Sequence, residues 1–107
     1  MKNYDLPGEA QRLLEIMRRI GFGRLENIHL KNGHPIATPE SRAVRSMMFD
    51  KKTFEHTGKR ADGDYILNDR QLTFIQAIQN VANGSIVSVS VSEGLPVRME
   101  ITENISL

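Results

Sequence analysis

Cysteine and tryptophan are both absent from these 107 residues. Without cysteine there is no disulfide framework, no thiolate nucleophile and no soft metal ligand. Without tryptophan, and with six Phe and Tyr residues in all, the core is expected to be aliphatic, and no aromatic platform for stacking bases is supported. Long hydrophobic runs are missing too. Nothing approaches the roughly 20 apolar residues of a membrane span, and the opening MKNYDLPGEA lacks the apolar stretch of a signal peptide. The expectation is a cytoplasmic protein of bacterial type with no membrane contact. A chain of this length forms one domain with a modest core.

Charge of one sign is scarce overall but not locally. The net charge is +1, yet residues 1–60 carry 12 Lys/Arg against 7 Asp/Glu, whereas residues 61–107 carry 2 against 6. Such a split fits a polyanion-binding half, head-to-tail pairing, or drift on solvated surfaces.

The best-patterned stretch is Gly84 to Ile101, GSIVSVSVSEGLPVRMEI. Val87, Val89 and Val91 alternate with Ser88, Ser90 and Ser92, which predicts a strand with one buried and one polar face. Gly94 supplies the positive φ of a tight turn. Val97, Met99 and Ile101 then alternate with Arg98, Glu100 and Thr102, predicting a return strand of the same sidedness. Moved back by 61 positions, the stretch falls without a gap on Gly23 to Ile36, GRLENIHLKNGHPI. Glycines, apolar positions and Pro96/Pro35 coincide, and Asn32-Gly33 is the stronger turn signal. In this first copy Glu26 stands where Val87 would be, and Pro39 cuts the return strand short.

In chain order, residues 1–4 are expected to fray. Leu6, Ala10, Leu13, Leu14, Met17 and Ile20 recur at helical spacing, with Asp5 as N-cap, Pro7 in the first turn and Gly21 and Gly23 at the end. After the first hairpin, Thr38 to Phe49 fits neither period; a short strand and a short helix both fit, the strand better. Residues 50–64, DKKTFEHTGKRADGD, read as a flexible connector. Asn68 with Gln71 makes a capping box and Leu67 with Leu72 a hydrophobic staple. Leu72, Ile75, Ile78, Val81 and Ala82 predict a buried stripe with Phe74 at its margin, and Gly84 closes the helix.

The fold class that follows is α+β: a tandem αββ repeat (about 6–40 and 67–104) within a single domain over 1–107. Its sheet is antiparallel and four-stranded, or five-stranded if residues 41–49 add at an edge. Two helices cover one face. The other face would carry Asn27, His29, Lys31, Ser88, Ser90 and Ser92.

The C-terminal copy resembles the small bacterial YezD-type proteins. The resemblance rests on the helix Phe74 to Val81, the link through Gly84, the alternating strand Ile86 to Val91, the turn at Gly94 and the closing segment Met99 to Leu107. It covers about a third of the chain; Ile20-Gly21-Phe22-Gly23-Arg24 and Asn32-Gly33 extend it loosely to the first copy. The resemblance implies a helix–hairpin fold, with a single-unit relative pairing with itself and this chain as a fused version. It implies no particular activity. Leu95-Pro96 after the turn departs from the pattern, so the sheet edge is expected to differ there.

Sites for chemistry are few. His29, His34 and His56 lack a third ligand, so no metal site is predicted. Asp62-Gly63-Asp64 opens like a calcium loop, but Ile66 and Thr73 occupy ligand positions. Gly58-Lys59 lacks the upstream glycine and the following Ser/Thr of a phosphate loop. The hairpin serines have no nearby base. No catalytic residue and no cofactor is predicted. A basic set remains as candidate phosphate contacts: Arg42, Arg45, Lys51, Lys52, Lys59 and Arg60, with Arg18, Arg19 and Arg24 as candidates to join it. The reading is a non-enzymatic interaction module whose partner is another protein or a second copy. The alternative is a weak, largely sequence-independent nucleic-acid binder acting through the basic connector.

Overall fold

A computed structural model describes residues 1–47, 49 and 65–107. The connector expected at 50–64 lies outside the described residues. Helix α1 (Gly8–Ile20) leads into strand β1 (Gly23–Lys31), β2 (His34–Ile36) and β3 (Arg42–Arg45); α2 (Asp69–Gln79) leads into β4 (Ile86–Ser92) and β5 (Leu95–Thr102). All five strands pair antiparallel in one sheet. β1 and β4 lie at its centre, β5 forms one edge, and β2 and β3 share the other. The fold is therefore α+β with a five-stranded sheet, and the residues after Thr38 do add an edge strand.

Each helix forms for local reasons and stays for packing reasons. α1 turns Ala10, Leu13, Leu14, Met17 and Ile20 inward, and burying each of the larger side chains stabilises by about 1.5–3 kcal/mol. It ends at Gly21, whose φ of 73° closes the last turn with Gly21 N–H donating to the Met17 carbonyl. α2 begins with the reciprocal box read from the sequence. The Asn68 side chain accepts from Gln71 N–H at 2.9 Å, and Gln71 Oε1 accepts from Asn68 N–H at 3.0 Å. Phe74 is buried with Ile75 and Ile78, not marginal, while Ala82 is exposed. The helix stops at Gln79, so Gly84 closes the following loop rather than the helix.

The sheet departs from simple alternation at two bulges. Between the pairs Leu25↔Val89 and Ile28↔Val87, β1 holds one residue more than β4. Asn27 takes up the slack at φ 58°, a conformation asparagine tolerates better than most side chains. The extra residue resets the pattern, so Leu25, Ile28 and Leu30 are buried while Glu26 avoids the core face. The second bulge sits at Val97, between the pairs Ser90↔Arg98 and Val91↔Pro96. It turns Pro96 inward and leaves Val97 exposed.

The outer edge beyond β1 is broken. β2 covers His29 to Lys31 and β3 covers Gly23 to Glu26. Between them the chain loops out around Pro39, and Ser41 Oγ donates to the Asn27 carbonyl at 2.6 Å while Asn27 Nδ2 donates to the Glu40 carbonyl at 3.1 Å. The bulge and the loop are thus clamped to each other.

The N-terminus is held, contrary to the fraying read from the sequence. Lys2 bridges Ile66, Asn3 is buried, and Leu67 N–H donates to the Met1 carbonyl. Asp5 caps this turn by accepting from Lys2 N–H at 3.0 Å; the residue before α1 is Pro7. The Arg18 guanidinium stacks 3.8 Å from the centre of the Tyr65 ring. Burial pushes the Tyr65 phenol above its ordinary value of 10.0, against the opposing pull of Arg18. The fold thus favours the neutral phenol. Its contribution to stability is complete below pH 10 and is lost as pH rises through the folded-state value. Wild type is expected to lose stability relative to Tyr65→Phe above that pH, in paired denaturant titrations across the alkaline range.

Candidate interaction surfaces

The basic set does not assemble into one surface among the described residues. Lys51, Lys52, Lys59 and Arg60 lie outside them. Arg42 and Arg45 are both exposed on β3, but they stand three residues apart on a strand, which sends them to opposite faces. Arg42 is in register with Glu26, and that carboxylate already holds Arg24 at 2.7 Å. Arg18 is taken up by Tyr65. Among the described residues no group of three or more His, Asp or Glu is placed to hold a metal ion.

What the fold does bring together is a pair of clefts. One lies between α2 and the β5 edge, about 780 Å³. The other lies between α1 and β2, about 650 Å³. Their walls correspond at the offset of 61 that relates the hairpins. Glu9 answers to Arg70, Arg12 to Thr73, Leu13 to Phe74, Ile16 to Ala77, Pro35 to Pro96 and Ile36 to Val97. Both are lined by apolar residues together with charged ones, with charges of opposite sign at the corresponding positions Glu9 and Arg70.

The same offset relates the contacts that set the hairpins against the helices. Asn32-Gly33 and Glu93-Gly94 both place their two central residues at positive φ, 53° and 79° in the first and 53° and 77° in the second, as a type I′ turn requires. Each turn glycine sits against the helix of the other half: a Cβ on Gly33 would lie 3.3 Å from the Gln79 Cα, and one on Gly94 3.2 Å from the Arg18 Cα. Outside the offset, each turn is also hydrogen-bonded to the far half: Gly94 N–H donates to the Gly21 carbonyl at 2.8 Å, and Asn32 N–H to Asn83 Oδ1 at 3.1 Å. Sequence reading found the offset in the hairpins. It missed the clefts, because their helical walls share position but neither identity nor size.

The two sheet edges differ. The β2/β3 edge is interrupted by the Pro39 loop. The β5 edge runs from Leu95 to Thr102 and keeps Val97 and Ile101 46% and 43% exposed. These two were predicted to face the core; Ile101 does pair with Val87 on the helix side, but at the strand's far end nothing described covers it.

Compared with protein-family models, curated proteins and solved structures, the chain matches none. No helix among the described residues is long and apolar enough to cross a membrane.

Proposed function

We propose that the protein is a non-enzymatic interaction module built from two copies of one αββ unit, working by association with protein surfaces. The observation that carries this reading is the pair of corresponding apolar clefts, one beside each outer part of the sheet. Apolar clefts beside strand edges suit peptide and protein surfaces, which supply both side chains and backbone hydrogen bonds. The matching turn–helix contacts at one offset support the two-copy construction. The resemblance to YezD-type helix–hairpin proteins agrees with it. A cytoplasmic, bacterial setting belongs to the same reading.

The competing reading is a weak, sequence-independent nucleic-acid binder using Arg42, Arg45, Lys51, Lys52, Lys59 and Arg60. The separation of Arg42 and Arg45 onto opposite faces weighs against it. Salt distinguishes the two, because phosphate contacts release counterions and hydrophobic association does not. Labelled duplex DNA and RNA, titrated at low and near-physiological salt, are expected to show no polarisation change. Sedimentation velocity over a concentration series is expected to show association that persists at high salt. Nucleic-acid binding that collapses with salt, in a protein that stays monomeric, would reverse the order of the two readings.

A further inference from the structure

We propose that the partner is a second copy of this chain, joined through β5 in an antiparallel pair centred on Met99. The inference rests on the interaction-module reading and gives it an occupant. Among the described residues β5 is the outermost strand on its side of the sheet, and its sequence from 97 to 101 is Val-Arg-Met-Glu-Ile. That stretch complements itself when reversed. With Met99 opposite the partner's Met99, Arg98 falls opposite Glu100, twice by symmetry, and the bulge residue Val97 falls beside Ile101 at each end of the pair. Such a face, the same patch on both subunits, is what a two-fold interface demands.

The register is set by charge. Centring the pair one residue later puts Glu100 against Glu100; one residue earlier puts Arg98 against Arg98. Directly opposed like charges destabilise a strand pair, and opposite charges stabilise it. Arg98 and Glu100 already lie 3.4 Å apart within one chain, with side chains 69% and 68% exposed. They are therefore available to the partner's pair without breaking any buried contact. Val97 and Ile101, about half exposed on an edge, gain the cover they lack. The partner strand also passes the mouth of the α2–β5 cleft, whose wall includes Val97 and Met99. The opposite edge offers no such run, since the Pro39 loop divides it. A two-fold axis normal to the sheet keeps the helices of both copies on one face and joins the two sheets into one.

The test is the mass of the full chain in solution, by sedimentation velocity across a dilution series. Wild type is expected at twice 12.1 kDa. Arg98→Glu and Glu100→Arg each create like-charge pairs and are expected to weaken the dimer about ten-fold or more. The double variant R98E/E100R restores complementarity and is expected to return the dimer to about the wild-type strength. Far-ultraviolet circular dichroism checks that each variant folds. The chain has no cysteine, so Met99→Cys introduces a single thiol at the two-fold position; mild oxidation is expected to link the copies, and Thr102→Cys is expected not to. A dimer indifferent to the single charge reversals, or one not rescued by the double reversal, overturns the β5 pairing and leaves the interaction-module reading standing. A monomer at every concentration overturns the pairing outright.

Discussion

Met17→Ala is expected to lower the free energy of unfolding by about 2–5 kcal/mol. Met17 is fully buried, on the inner face of α1 within the single hydrophobic cluster formed by both helices and the central strands. Removing three heavy atoms there forfeits their transfer energy and leaves a cavity that the surrounding buried residues of the same cluster close only in part. A domain of this size holds on the order of 5–15 kcal/mol in total, so the loss is a large share. Urea unfolding followed by circular dichroism measures it, with a lowered midpoint at an unchanged slope as the expected signature. Met17→Leu, which conserves volume, should cost less than about 1.5 kcal/mol. A loss below about 1 kcal/mol for Met17→Ala would mean that the site collapses freely and that α1 is not firmly seated.

Gly23→Ala should act differently, by detaching a strand. Gly23 has φ of 147°, and a Cβ there would stand 1.9 Å from the Val44 carbonyl oxygen. That oxygen belongs to the backbone of β3 and cannot swing aside as a side chain would. The alanine therefore displaces β3 from β1, whose pairs run from Gly23↔Arg45 to Glu26↔Arg42, while β1 keeps β4 on its other side. The expected cost is about 1–3 kcal/mol. Amide exchange should show protection lost over Arg42 to Arg45 and retained in β4. Gly84→Ala is the matched control. Gly84 also has positive φ, 89°, but nothing lies within 4 Å of its missing Cβ, so only backbone strain of about 1–2 kcal/mol remains. Equal effects at the two glycines would remove the clash from the account.

Much of this fold was legible in the sequence because short-range rules agreed with the global arrangement. The Val-Ser alternation of β4, the Asn32-Gly33 and Glu93-Gly94 turns and the Asn68–Gln71 box all act within a few residues, and all stand as read. The misreadings share a cause. Bulges and edges depend on what lies across the sheet, which no local pattern reports. The bulge at Glu26-Asn27 resets a strand whose strict alternation would put a charge on its core face. The bulge at Val97 did the reverse, sending Pro96 inward and an apolar side chain out. Phe74 looked marginal on a helical wheel and is buried because its cleft wall meets β5. The N-terminus was read as frayed because its partner, Tyr65 to Leu67, lies more than 60 residues away. Of the basic set, only Arg42 and Arg45 are placed, and their opposite faces follow from β3 being a strand, the assignment the sequence left open.

The crossing of turns and helices has a kinetic consequence. Gly33 rests on α2 and Gly94 on α1, and β1 pairs with β4, so neither half completes its packing from its own residues. The contacts that finish each half join positions about 60 residues apart, and closing a loop of that length costs roughly 3.5 kcal/mol of chain entropy beyond a constant. That cost falls before most of the reward arrives. The transition state for folding must therefore already hold both halves together, and the chain is placed among slow-folding small domains rather than fast helical ones.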